Sequence, residues 1–84
     1  MITVKVLYFA RLREVLGRSE EQVELPNAAT VDVLLDLLRA RGDVWARELT
    51  ERPFRVAVNQ EMRDASAQVG AGDEVAIFPP VTGG

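Results

Sequence analysis

Residues 73–84, Asp73-Glu74-Val75-Ala76-Ile77-Phe78-Pro79-Pro80-Val81-Thr82-Gly83-Gly84, decide how the chain is read. The first half is a strand. It is β-branched and alternating, and Gly70-Ala71-Gly72-Asp73 is a turn signal ahead of it. Pro79 and Pro80 have no backbone N–H to donate, so ladder pairing must stop there. Pro80 also biases Pro79 toward extended or polyproline geometry, which stiffens the exit. Residues 79–84 can reach at most about 20 Å. A strand therefore leads into a short stalk with a carboxylate at Gly84.

The closing Gly83-Gly84 pair carries chemical meaning unless it is chance or a cloning scar. With no Cβ beside its carbonyl, Gly84 can be approached closely by another protein's active site. Gly83 adds freedom to thread a narrow channel.

Working outward, Ile2 to Phe9 reads as the first strand. Ile2, Val4, Val6 and Tyr8 share one face, and Thr3, Lys5, Leu7 and Phe9 share the other. Ala10 to Leu16 follows as a short helix with Leu12, Val15 and Leu16 as its stripe and Gly17 as C-cap. Glu21 to Leu25 is a second strand. Thr30 to Arg41 is the main helix, N-capped by Thr30 and terminated by Gly42. Val31, Leu34, Leu35 and Leu38 fall at the spacing of one buried face, and Val33 and Leu37 widen it. Asp43 to Glu51 holds a further short helix anchored by Trp45 and Leu49. Phe54 to Asn59 is a third strand with Phe54, Val56 and Val58 inward. Asn59-Gln60 turns into a short strand, 61–63, and Ala65 to Gly72 is a loop with room for one helical turn. In the last strand Val75 and Ile77 point inward and Ala76 and Phe78 outward. The order predicts an α+β fold, one sheet packed on one main helix.

Composition narrows the function classes. The chain has 84 residues, 48% hydrophobic, which suits one compact domain with a modest core. No run is apolar enough to span a membrane and no secretory signal opens the chain, so a cytosolic protein is expected. A net charge of −3 leaves no electrostatic footprint for nucleic acid. There is no Cys, so no thiolate or persulfide forms on this chain, and no His, the commonest general base and metal ligand. No metal site is expected. A carrier or subunit fits these absences better than a self-sufficient catalyst.

If the first and last strands are neighbours, Phe78 shares outward parity with Leu7 and Phe9, and Met62 joins from the short strand. Such an apolar cluster beside the stalk reads as a partner-binding patch. The alternatives are a covered face or a register slipped by one residue. Arg11 reads as part of a solvated charged face. Asp73 and Glu74 invite an acid–base or metal reading, but turn chemistry after Gly72 accounts for Asp73 more cheaply.

Val6-Leu7-Tyr8-Phe9-Ala10-Arg11-Leu12-Arg13-Glu14 resembles the opening signature of the MoaD family, the small sulfur-carrying subunits of molybdopterin synthase. Val56-Ala57-Val58-Asn59-Gln60 resembles that family's central strand, and Gly72 to Gly84 its closing block almost throughout. The resemblance implies a ubiquitin-like β-grasp domain over 1–84, with 79–84 as a flexible tail. It implies that an E1-like, ATP-using enzyme of the MoeB type adenylates Gly84. A sulfur donor protein then makes a thiocarboxylate. The tail, Pro79, Pro80, Val81, Thr82, Gly83 and Gly84, inserts into a MoaE-like large subunit of a heterotetramer. There it gives sulfur to cyclic pyranopterin monophosphate. Family contacts map onto Leu7, Phe9, Arg13, Met62 and Phe78. No cofactor is bound by the chain itself. A protein modifier using the same activated Gly84 to form isopeptide bonds is the rival reading.

Overall fold

The computed structural model describes residues 1–80, and the expectations placed on Val81, Thr82, Gly83 and Gly84 lie outside the described residues. The elements run β1 (Ile2–Tyr8), α1 (Ala10–Leu16), β2 (Glu20–Leu25), α2 (Val31–Arg39), α3 (Asp43–Glu48), β3 (Arg55–Val58), β4 (Glu61–Arg63) and β5 (Glu74–Phe78). The strands form one sheet in the order β2-β1-β5-β3-β4. β5 lies parallel to β1 and antiparallel to β3, so the last strand fills the middle of the sheet. This is the mixed α+β sheet expected from the element order.

The inward face carries Val4, Val6 and Tyr8 of β1, Val23 and Leu25 of β2, Val56 and Val58 of β3, and Val75 and Ile77 of β5. Against them sit Val31, Leu34, Leu35 and Leu38 of α2, which lie one turn apart along a single stripe. The free N–H groups of the first turn of α2 all find acceptors. Val31 and Asp32 donate to the carbonyls of Ala67 and Ala65, each at 2.9 Å, and Val33 donates to Thr30 Oγ1 at 3.4 Å. The 65–72 loop thus closes the N-terminal end of α2. It buries Ala67 and Val69 and holds no helical turn.

A polar clasp closes the other end of the helix layer. The buried Tyr8 hydroxyl donates to Glu21 at 2.6 Å, and Arg41 donates to both Glu21 oxygens at 2.6 and 3.0 Å. Arg41 and Arg18 stack over the Trp45 ring, their guanidinium carbons 4.6 and 5.6 Å from its centre.

Several expectations are corrected. β1 ends at Tyr8, the last residue paired with β5, because Phe9 serves as the N-cap position of α1. Val15 is exposed, which leaves Leu12 and Leu16 to hold α1. Val33 and Leu37 do not widen the α2 stripe: both are exposed, since the sheet covers only one side of the helix. α2 ends at Arg39 with Ala40 as C-cap, and Gly42 instead precedes α3. Phe54 lies outside β3 and is half-buried. Ala57 has outward parity yet is buried, set between β4 and β5.

Candidate functional site

β5 ends at Phe78, and the chain leaves the sheet through an exposed Pro79 and a half-buried Pro80. What surrounds this exit follows from register. On the outer face, Leu7 pairs with Ala76, Ala76 with Ala57, and Ala57 with Met62. One row therefore crosses four strands as Leu7–Ala76–Ala57–Met62. Two alanines lie between two longer side chains, which makes a shallow apolar trough. Met62, on the edge strand, is 57% exposed. The next row toward the exit pairs Phe78 with Arg55. Phe78 is half-buried, while Phe9, just past β1, is 42% exposed and donates its N–H to the Ile77 carbonyl at 3.2 Å. The structure thus gathers Leu7, Met62, Phe78 and Phe9 around the root of the tail. Arg13 is exposed one turn further along α1, outside these rows.

The inward half of the root holds a constellation that sequence reasoning missed. Arg11, read as a solvated charge, is indeed exposed, but it is also paired. It donates to both oxygens of Glu48, at 3.0 and 3.1 Å, and Arg52 approaches the same carboxylate at 3.5 Å. Glu48 is only 5% exposed. Arg11, Glu48, Arg52, Pro53, Phe54 and Pro79 line one crevice of about 40 Å³. Hydrogen bonds from Arg11 hold the Glu48 carboxyl below the usual carboxylate range, against the opposing effect of burial. A signal was present in the sequence: Glu48 follows Trp45 by three and precedes Leu49, so it falls on the anchored stripe of α3.

Asp73 is a turn residue, as turn chemistry predicted, and Glu74 opens β5. Asp73 accepts from the Gly70 N–H at 2.7 Å and from Asn59 Nδ2 at 3.1 Å. Those two bonds, the backbone one foremost, hold its carboxyl below the ordinary range. Gly72 beside it takes φ +81°, a conformation glycine adopts freely. Glu74 gives its N–H to Asn59 Oδ1 at 3.0 Å. Among the described residues, no group of three or more acidic side chains is placed to hold a metal ion. None of the helices described is long and apolar enough to cross a membrane. The described residues thus place an apolar face beside the point where the chain leaves the sheet.

Comparison with known proteins agrees with this geometry. The ThiS family profile matches residues 6–84. The chain is 41% identical over 81 residues to the molybdopterin synthase sulfur carrier subunit of Haemophilus influenzae, covering 96% of this chain and 99% of that protein. It is 40% identical to the Mycobacterium tuberculosis subunit of the same name over the whole of both chains. Among solved structures, a putative molybdopterin converting factor subunit 1 from Pyrococcus furiosus superposes with a TM-score of 0.83 at 31% identity, covering 96% of this chain and all of that one. The small archaeal modifier protein 1 of H. volcanii gives 0.74 at 33%, with the same coverage. A complex of subunits 1 and 2 of the molybdopterin-converting factor from Helicobacter pylori contains a chain of the same fold, with a TM-score of 0.70 at 20% identity, covering 99% of this chain and all of that one. The sheet order, the Gly-Gly ending and these likenesses agree: the chain belongs to the ThiS family and, within it, to the molybdopterin synthase sulfur carrier subunits.

Proposed function

We propose that this chain carries sulfur on the carboxyl group of Gly84 during molybdenum cofactor biosynthesis in the cytosol. An E1-like partner joins the Gly84 carboxylate to AMP, using ATP and releasing pyrophosphate. A carboxylate is a poor acyl donor because its charge opposes attack, and AMP supplies the leaving group. Sulfide-level sulfur released by a donor protein attacks the acyl carbon, the C–O bond to AMP breaks, AMP departs, and a thiocarboxylate remains, which ionises readily and is a soft nucleophile. The tail 79–84 then enters the large subunit of a heterotetramer and gives its sulfur to cyclic pyranopterin monophosphate. The chain needs no cofactor of its own, since ATP is consumed by the partner.

One observation carries the reading: a Gly-Gly tail leaves the central strand beside an apolar face, on a chain without Cys or His. With no thiol anywhere, the terminal carboxylate is the place where sulfur can be held. Leu7, Phe9, Met62 and Phe78 serve as the docking face for the large subunit, with Arg13 at its margin.

The likeness to a small archaeal modifier protein favours a second use of the same activated end, an isopeptide bond to other proteins. Self-linked chains have few acceptors. Lys5 is the one lysine, and it pairs with Glu20 at 3.2 Å.

Intact-mass spectrometry tests the first reading. With the activating partner, ATP and a sulfur donor, the chain exchanges one terminal oxygen for sulfur. The change maps to Gly84 and vanishes when Gly84 is deleted or Gly83 is replaced by Val. Sulfur elsewhere, or none, removes the carrier reading. Accumulation chiefly as isopeptides on other proteins' lysines replaces it with the modifier reading.

A further inference from the structure

The apolar row on the outer face, Leu7–Ala76–Ala57–Met62, reads nearly the same from either end: two long side chains about two alanines. A half-turn about the sheet normal exchanges Leu7 with Met62 and Ala76 with Ala57. Apolar contact is non-directional, so the row by itself does not tell one docked sense from the other. The rows on either side of it differ in charge. Toward the exit, Phe78 pairs with Arg55, which is exposed. Away from the exit, Lys5 pairs with Glu74, and Thr3 pairs with Glu24. Lys5 is held by Glu20 at 3.2 Å. Among the described residues, Glu24 and Glu74 make no ion pair. Arg13, Arg47, Arg55 and Arg63 make none there either. Of these four, Arg55 is the one on the outer face of a strand. Arg13 and Arg47 are helical, and Arg63, opposite Val56, has inward parity. The outer face is thus positive at its exit end and negative at its far end. Glu74 and Phe78, which mark the two ends on β5, are about 13 Å apart at the usual strand rise.

We propose that Arg55, with Glu24 and Glu74 at the opposite end, fixes the sense in which the large subunit docks: that subunit presents a carboxylate to Arg55 and a basic group to the two glutamates. In this sense opposite charges meet on both sides of the apolar row. After a half-turn Arg55 meets the basic group and the glutamates meet the carboxylate, and like charges oppose docking. The choice matters because the chain leaves the sheet at the Arg55 end, next to Phe78. The turned arrangement carries that exit to the wrong side of the interface. An arginine suits the task, since its planar fork takes a carboxylate through two bonds. This inference rests on the carrier reading for its partner, and names the chemistry that partner presents.

Calorimetric titration of the full chain against the purified large subunit, at about 0.05 M and about 1 M salt, tests it. At the lower salt Arg55→Gln weakens association about fivefold and Arg55→Glu about 25-fold. Both losses shrink at the higher salt, where charges are screened. Arg63→Glu makes the same change of net charge off the face and stays within about twofold of the parent. Glu24→Gln/Glu74→Gln weakens association in the same salt-dependent way. Thermal melts accompany each variant, and if Arg55→Glu fails to fold, Arg55→Gln carries the test. The reversed face, Arg55→Glu/Glu24→Arg/Glu74→Arg, gives a second readout. It is prepared as the thiocarboxylate by intein cleavage and mixed with saturating large subunit and cyclic pyranopterin monophosphate. It delivers sulfur about tenfold more slowly than the parent, as when a tenth of complexes dock in the productive sense. Parent-like affinity in Arg55→Glu, an equal loss in Arg63→Glu, losses that salt does not diminish, or parent-rate delivery from the reversed face each overturns the proposal. Any of these in a parent that binds and delivers sulfur leaves the carrier reading intact. A parent that binds but delivers no sulfur removes the carrier reading, while the affinities still decide the charges.

Discussion

Tyr8 and Glu21 are joined by a 2.6 Å hydrogen bond between adjacent strands, β1 and β2, and the carboxylate that accepts it is also held by Arg41. Burial works to raise the Glu21 carboxyl, but the bonds from Arg41 and Tyr8 and the charges of Arg41 and Arg18 outweigh it, leaving it below its usual value. A carboxyl lowered in the folded state adds stability above its unfolded value and loses it as pH falls. Glu48 and Asp73 are lowered as well. Stability therefore declines below about pH 4.5, the ordinary glutamate value. Burial, then the Glu21 bond, pushes the Tyr8 phenol upward. Above pH 10.0 the unfolded tyrosine ionises first, and stability falls again. Urea melts from pH 3 to 11, on the order of one per unit, check both limbs; a flat acid limb contradicts the ion-pair geometry.

Leu34→Ala and Leu35→Ala each destabilise the fold by about 2–5 kcal/mol, the usual cost of emptying a core leucine site. Both side chains are buried under the sheet, whereas Leu37 on the opposite side is 44% exposed. Leu37→Ala therefore stays within about 0.5 kcal/mol. Denaturant melts of the three variants give the comparison.

The β3–β4 hairpin turns through Asn59 and Gln60, both at positive φ, 51° and 70°. Two such residues in a two-residue loop follow the type I′ pattern, for which Asn-Gly is preferred. Asn59 tolerates the conformation; Gln60 is strained in it. Gln60→Gly raises stability by about 1 kcal/mol, the left-handed penalty of a residue with a Cβ. An unchanged or lowered melting point would count against the turn.

Phe78→Ala weakens association with the large subunit by about 2 kcal/mol or more, as at a central hot spot, and weakens the fold less. Met62→Ala acts in the same direction, because it ends the Leu7–Ala76–Ala57–Met62 row. Calorimetric titration against the purified large subunit measures both, and parent-like affinity in each would discard the docking face.

Much of this was legible because it is periodic. Val31, Leu34, Leu35 and Leu38 announce a helix face, and Val75 and Ile77 a strand face, whatever lies around them. What failed depends on neighbours. Phe54 falls outside β3 because its partner β5 ends at Phe78, opposite Arg55, and Phe9 falls outside β1 because it serves as the N-cap position of α1. Leu37 is exposed because the sheet reaches only one side of its helix. Ala57 is buried by what stands next to it. Glu48 was passed over because a charge on a short helix reads as solvated until Arg11, far back in sequence, is folded beside it. The outer patch was readable once β1 and β5 were taken as neighbours, and their parallel pairing supplied that condition.

The placement of β5 has a mechanical consequence. A tail leaving an edge strand can be peeled off one hydrogen bond at a time. Here the strand that continues into Pro79 is laddered on both sides, to β1 through Lys5–Tyr8 and to β3 through Arg55–Val58. Tension on the tail is directed along β5, across hydrogen bonds that run from strand to strand. Both ladders are loaded in shear at once. A partner that grips the tail in a tight channel pulls on a strand held on both sides, so the load is shared by two ladders and its root does not unzip.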